Sequence, residues 1–273
     1  MRRVFSLRDR FAHAYGALLV AITLSATGWP AAGAFADEPP TVAAAADLQF
    51  ALTEVADAFA AETGLEVKLA FGSSGNFARQ IRQGAPFEMY LSADENYVLE
   101  LNKDGFTRDD GALYAVGRIV IIVPHGSPLE PDGTFEDLRA ALEDGRVQKF
   151  AIANPEHAPY GRRAEEALRH AGLWEATENR LVLGENVSQA AQFATSGSTQ
   201  GGIVAYSLAL SPKVSALGRF ELIPAEWHDP LRQRMVLLKD AGATAERFFA
   251  FVQEPAARAI MRRYGFVLPG EES

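Results

Sequence analysis

Residues 41–76 read TVAAAADLQFALTEVADAFAAETGLEVKLAFGSSGN, and the order of patterns within them decides the fold class. Thr41–Ala46 is a run of small apolar residues and a strand candidate. From Leu48 the apolar positions Leu48, Leu52, Val55 and Phe59 fall near helical spacing, and Gly64 ends the helix. Glu66–Phe71 is the next strand. Gly72-Ser73-Ser74-Gly75-Asn76 forms a turn, and Phe77–Arg82 starts a second helix.

The alternation continues down the chain. Glu88–Leu91 is strand-like, and a helix carrying Tyr97, Val98 and Leu101 is closed by Gly105. Arg118–Pro124 (RIVIIVP) is an apolar run of the kind found in strands buried on both faces. A helix at Glu136–Leu142, a strand at Phe150–Ala153 and a helix at Arg162–Ala171, opened by Pro159-Tyr160-Gly161, follow. Then come strand Leu181–Leu183, a helix from Val187, and strands Gly202–Tyr206, Phe220–Pro224 and Met235–Leu238. Helices Ala243–Gln253 and Pro255–Tyr264 close the chain. Such alternation predicts an α/β fold with parallel sheets. Sheets of this kind bind ligands beyond the carboxyl ends of their strands, so the strand-to-helix turns are the informative residues.

Composition narrows the function classes. The 273 residues carry 26 Lys and Arg against 35 Asp and Glu, a formal net charge of −9. An acidic chain is a poor match for nucleic acid, which needs a basic surface. The absence of cysteine removes disulfides, thiolate metal sites, iron–sulfur clusters and cysteine nucleophiles together. His125, His157, His170 and His228 form no close ligand pair, so a zinc site has weak support. His157, beside Glu156, reads as a surface loop residue. Neither a dinucleotide fingerprint, a P-loop nor a nucleophile elbow is present.

Arg2, Arg3, Arg8 and Arg10 precede an apolar run over residues 14–26, and Ala34-Phe35-Ala36 makes an A-x-A pattern. These features predict a secretory signal peptide over residues 1–36, cleaved near Ala36-Asp37. The apolar run is short for a membrane span and is broken by Gly28 and Pro30. Four arginines and Asp9 leave with this leader, which takes the net charge from −9 to −12.

Four turns stand out: Ala45-Ala46-Asp47, Gly72–Asn76, Ala158-Pro159-Tyr160-Gly161 and Glu185-Asn186-Val187. Small or turn-forming residues in the first three let backbone N–H groups approach a ligand closely. A helix start adds unpaired N–H donors and a partial positive charge. Together these make an anion site that needs no Lys or Arg, and Ser73 and Ser74 add hydroxyl donors. Taken singly, GSSGN is better explained as a plain loop or helix cap. The anion reading requires several turns to face one cleft.

The blocks TVAAAADL, FGSSGNFARQIRQGAP, YLSADENYVLELNKDG, ANPEHAPYGRRAEEAL, GENVSQAAQF, GIVAYSLAL and RRYGF run in order from Thr41 to Phe266. In this order they resemble the periplasmic molybdate-binding proteins of bacterial ABC transporters. The resemblance implies a two-lobed type II periplasmic binding protein fold, with two mixed or parallel sheets flanked by helices. Two chain crossings, near Tyr114–Gly117 and Glu221–Ala225, would form the hinge. Lobe one would comprise residues 37–116 plus 225–273, and lobe two residues 117–224. The implied protein is a monomeric periplasmic receptor without cofactor or catalytic residue. It would capture molybdate or tungstate and deliver it to an ABC permease in the inner membrane. Molybdenum would then be held only as its oxyanion, with no cation site. The implied contacts fall on the Ser74 hydroxyl, on Tyr160, on the Val187 backbone N–H, and on Asp47, which stands where many members have Ser, Thr or Asn. Where some members have a ligand-contacting Tyr in the GIV strand, this chain has Ala205, then Tyr206. Tyr160 is expected to supply the hydroxyl that Ala205 lacks.

Asp47 divides the readings. A carboxylate accepts hydrogen bonds only and repels a dianion. The favoured expectation is that Asp47 caps the helix starting at Leu48 and faces away from the ligand. If it faces the cleft instead, a protonated oxyanion such as phosphate could donate to it. A reading from another class is an exported hydrolase with Asp47 as base and Ser74 as nucleophile, although no third, orienting group is evident.

Overall fold

In the computed structural model, which describes residues 38–271, the small-residue run of the opening stretch becomes strand β1 (Thr41–Ala45). The expected leader over 1–36 and its cleavage site lie outside the described residues. The remaining strands are β2 (Lys68–Gly72), β3 (Met89–Ser92), β4 (Ala112–Gly117), β5 (Ile119–Pro124), β6 (Phe150–Ala153), β7 (Leu181–Gly184), β8 (Gly202–Ala205), β9 (Gly218–Leu222) and β10 (Leu231–Leu237). The helices are α1 (Gln49–Thr63), α2 (Ser74–Arg82), α3 (Glu95–Lys103), α4 (Glu136–Glu143), α5 (Pro159–His170), α6 (Trp174–Glu178), α7 (Val187–Thr195), α8 (Tyr206–Ala209), α9 (Pro212–Ser215), α10 (Ala243–Val252) and α11 (Pro255–Arg263).

The strands form two five-stranded sheets, in the orders β2-β1-β3-β10-β4 and β7-β6-β8-β5-β9. In the first, β1 runs parallel to β2 and β3, while β10 is antiparallel to β3 and β4. In the second, β6 runs parallel to β7 and β8, while β5 is antiparallel to β8 and β9. Both sheets are therefore mixed rather than wholly parallel. The chain passes from the first to the second at Arg118, between β4 and β5, and returns between Leu222 and Leu231. The antiparallel strands are those next to the two passages, where no helical crossover exists to bring a strand back in parallel.

The cores follow the patterning. Helix α1 buries Ala51, Leu52, Val55 and Phe59, and the Phe59 ring meets Phe248 and Phe251 edge-on at 5.1 and 5.4 Å. Residues 119–124 are buried throughout, as the run RIVIIVP requires. Ala45, Ala46 and Ala93, at strand ends of the first sheet, pack into the core of the second. Several elements differ from expectation, the short helices α6, α8 and α9 among them. Strand β4 was not anticipated, β9 runs from Gly218 to Leu222, and β10 begins at Leu231, four residues early. In β10 the polar run Arg232-Gln233-Arg234 masks a buried alternation of Leu231, Gln233 and Met235. Among the described residues, no helix is long and apolar enough to cross a membrane.

The start of α5 rests directly on the end of β6. A Cβ built on Gly161 would strike the Ala153 carbonyl, so the first turn of α5, with Tyr160, lies this close only because residue 161 is glycine. Gly161→Ala should force that turn outward and destabilise the fold by about 1–3 kcal/mol. Chemical denaturation is the check, and an unchanged midpoint would count against this packing.

Candidate functional site

Each sheet contributes turns at the carboxyl ends of its parallel strands. Strand β1 leads into the 3-10 turn Ala46–Leu48, and β2 into α2. Strand β6 leads through Asn154–Ala158 into α5, and β7 into α7. These four turns converge on one small cavity, and Asp47, Ser74, Tyr160 and Val187 all line it. No Lys, Arg or His is among its lining residues. Among the described residues, no group of three or more His, Asp or Glu is placed to hold a cation.

The donors come from local helix geometry. The N–H groups of a first helical turn have no intrahelical partner. In α7 the Asn186 side chain takes the Gln189 N–H at 3.0 Å, and Val187 opens the helix with its own N–H outside the ladder. In α2 the Gly75 N–H reaches across to the His157 carbonyl at 2.9 Å. The Ser74 hydroxyl oxygen accepts the Ala93 N–H at 3.0 Å, which leaves its hydrogen to be donated elsewhere. The Tyr90 hydroxyl donates to the Ser74 carbonyl at 2.8 Å and steadies the same turn.

Asp47 does not cap a helix. Neither the 3-10 turn nor α1 has a side-chain cap, and the Asp47 side chain, 1 % exposed, turns instead toward the chain crossings. Its Oδ2 accepts from the Tyr160 hydroxyl at 3.0 Å and from Gln233 Nε2 at 2.8 Å. Gln233 Nε2 also donates to the Tyr160 oxygen at 3.0 Å, and the Tyr114 hydroxyl donates to Gln233 Oε1 at 2.7 Å. Asp47 Oδ1 is buried with no hydrogen-bond partner. Burial raises the Asp47 pKa from the ordinary 3.8 to about 6; the bonds from Gln233 and Tyr160 oppose the rise, as do the nearby N–H groups of Asp47 and Leu48. Burial, then the neighbouring Asp47 charge, holds Tyr114 and Tyr160 well above the ordinary phenol value. The expected cap thus gives way to a tertiary network, because two donors from distant elements outcompete local N–H groups for a desolvated carboxylate.

Gln233 and Tyr114 escaped the sequence reading. A β-bulge carries the ladder from Gln233–Ala115 to Arg234–Leu113, and this places Tyr114 as the extra residue of β4. Gly117 completes the fit, since a Cβ there would strike the Tyr160 hydroxyl and the Gln233 amide. The usable signal was Gln233 itself, a polar residue on the buried side of an alternating strand. His157 is not a surface loop residue: it is largely buried, and its Nδ1 lies 2.9 Å from Ser73 Oγ. Tyr206 packs edge-on against Phe220, with centroids 6.0 Å apart, and does not line the cavity.

Comparison with known proteins gives a consistent picture. Residues 40–267 match the family described as bacterial extracellular solute-binding protein. The molybdate-binding protein ModA of Rhodobacter capsulatus is 35 % identical over 82 % of this chain and 86 % of its own length. The Escherichia coli protein of the same name is 31 % identical, over 87 % and 93 %. The structure of the Azotobacter vinelandii periplasmic molybdate-binding protein superposes with a TM-score of 0.77 at 31 % identity, covering 84 % of this chain and 99 % of that one.

The buried carboxyl links stability to pH. Its folded-state pKa lies above the ordinary value, so the folded protein keeps the proton between about pH 3.8 and 6. Stability from this group is intact below that window and is lost as the pH rises through it. The loss amounts to about 3 kcal/mol at full ionisation. Asp47→Asn should therefore stabilise the protein at pH 8 by up to that amount, with the gain shrinking toward zero at pH 4. Paired denaturation curves at the two pH values test this, and an equal effect at both would contradict it.

Proposed function

Because the chain belongs to the bacterial extracellular solute-binding proteins, we propose that it captures molybdate in the cavity between its sheets for delivery to an ABC permease. The observation that carries this reading is the convergence of four strand-end turns on one cavity with backbone and hydroxyl donors and no cationic side chain. Molybdate is a tetrahedral dianion without a proton at neutral pH, hence a pure acceptor, and a ring of neutral donors suits it. Tungstate has the same charge and shape and binds the same ring. In this reading the Ser74 hydroxyl and the Val187 N–H contact the anion directly. Tyr160 contributes its N–H from the first turn of α5, while its hydroxyl steers Asp47.

The two bodies that close on the anion are residues 37–116 plus 225–273 and residues 117–224, hinged at the two chain passages. The protein works as a soluble monomer in the periplasm after its leader, residues 1–36, is removed, and it meets the permease at the inner membrane. The relatives are named as binding proteins, which supports capture rather than catalysis. The bonding of the two candidate hydrolytic groups supports it too: Asp47 Oδ2 is engaged by Tyr160 and Gln233, and Ser74 Oγ by Ala93.

One observation favours a second ligand. The unpartnered Oδ1 of Asp47 could accept the proton of monohydrogen phosphate. Thermal melting with molybdate, tungstate, sulfate and phosphate separates the cases. A ligand at a thousandfold excess over its Kd stabilises by about 4 kcal/mol, and molybdate and tungstate should give this rise. Displacement of bound molybdate by equimolar phosphate would reverse the assignment. Ser74→Ala should weaken molybdate binding by about 1.5–3 kcal/mol, the scale of a hydrogen bond to a charged group. Unchanged affinity by titration calorimetry would remove Ser74 from the site.

A further inference from the structure

We propose that the oxyanion is bound together with one proton, which sits on Asp47 Oδ1 and is donated to a ligand oxygen. This deepens the molybdate reading and rests on it. The direction of every hydrogen in the network assigns the position. Tyr114 donates to Gln233 Oε1, which turns the amide so that Nε2 faces Asp47 and Tyr160. Tyr160, receiving from Gln233, donates in turn to Asp47 Oδ2. Oδ2 is therefore the accepting, carbonyl-like oxygen of the group, and an acid proton belongs on Oδ1. That atom is buried and without partner, in a residue that lines the cavity. As an ionised acceptor it has no hydrogen-bond partner and repels an incoming dianion; as O–H it gains the acceptor that the oxyanion brings.

The hydrogen bonds to the Asp47 carboxyl come from neutral groups. Helix α5 presents the Tyr160 phenol and β4 the Tyr114 phenol. On β10, Gln233 faces the carboxyl while its neighbours Arg232 and Arg234 both pair with Glu95. From α7 and α8 come the hydroxyls of Ser188 and Ser207, bonded to the Ala46 and Asp47 carbonyls. His157 stops at the Ser73 hydroxyl and Tyr90 at the Ser74 carbonyl, and the Arg118 Nε, at the passage between β4 and β5, is buried without a hydrogen-bond partner. Burial already brings the carboxyl to about 6, so near neutrality the proton is cheaply acquired from solvent. An adjacent dianion raises the pKa further, and binding then weakens as the pH climbs above the free value, by up to about tenfold per unit.

The test is calorimetric titration of the purified protein with sodium molybdate between pH 6 and 8.5, a range in which molybdate itself carries no proton. Two buffers of different ionisation enthalpy report proton exchange. The expected result is uptake approaching one proton per molybdate at pH 8, with Kd rising toward tenfold per pH unit. Asp47→Asn should abolish the uptake and flatten the slope, since its amide is a permanent donor, whereas His157→Gln should keep the slope. The wild-type buffer comparison stands alone if the variant fails to fold. Tight molybdate binding with buffer-independent heat and a flat pH profile would overturn the proton but leave the molybdate reading intact. Phosphate that outcompetes molybdate increasingly as the pH rises would overturn both, by making Asp47 the acceptor. No molybdate binding at any pH would also overturn both.

Discussion

A carboxyl group withdrawn from water must find its partners inside the protein, and Asp47 finds them on two distant stretches of chain. The turn after β1 supplies the carboxyl, α5 supplies Tyr160, and β10 supplies Gln233. A buried polar group left unmatched costs about 1–3 kcal/mol, so everything near this contact is arranged to keep it. The bulge that frees Tyr114, the missing side chain of Gly117 and the close seating of Gly161 on β6 are parts of that arrangement. Because the partners come from both sheets and from the strand that follows the return passage, the contact also sets how the two sheets meet.

Around it, the cavity uses backbone geometry in place of charge. Helices that begin where parallel strands end direct unpaired N–H groups into the space between the sheets. Some of these donors are consumed locally, as by the Asn186 cap, and some across the cavity, as between Gly75 and His157. The remainder, with the Ser74 hydroxyl, line the cavity as neutral donors. The single acid among the lining residues, Asp47, is held above the ordinary carboxylate pKa by burial.

The outer contacts between the sheets are of a different kind. Asn76 bonds to Glu185 at 2.5 Å, Arg162 bonds to Tyr97 and pairs with Asp94 at 3.6 Å, and Ser188 bonds to the Ala46 carbonyl at 3.0 Å. Most of these groups are at least partly exposed to solvent, and exposed polar pairs contribute little each. The rim of weak contacts around a tightly matched interior can exchange its partners for water at small cost.

The alternation of strand and helix, the buried run RIVIIVP and the turns bearing Ser74, Tyr160 and Val187 were all legible in the sequence. Each depends on residues within about one helical turn or one strand of one another, where spacing and backbone preference act directly. Strand β10 was legible only in part, because Gln233 breaks the apolar alternation that marks a buried face. The fate of Asp47 was not legible. By local preference it is a helix cap, yet its partners lie 113 and 186 residues away. The burial of His157 likewise depends on Ser73, 84 residues distant. A side chain's local preference is worth about 1 kcal/mol, which a desolvated tertiary network readily exceeds. The sequence by itself therefore determined which turns could bind an anion, and only the tertiary structure decided which of their side chains line the cavity, because burial sets the protonation and pairing of each group.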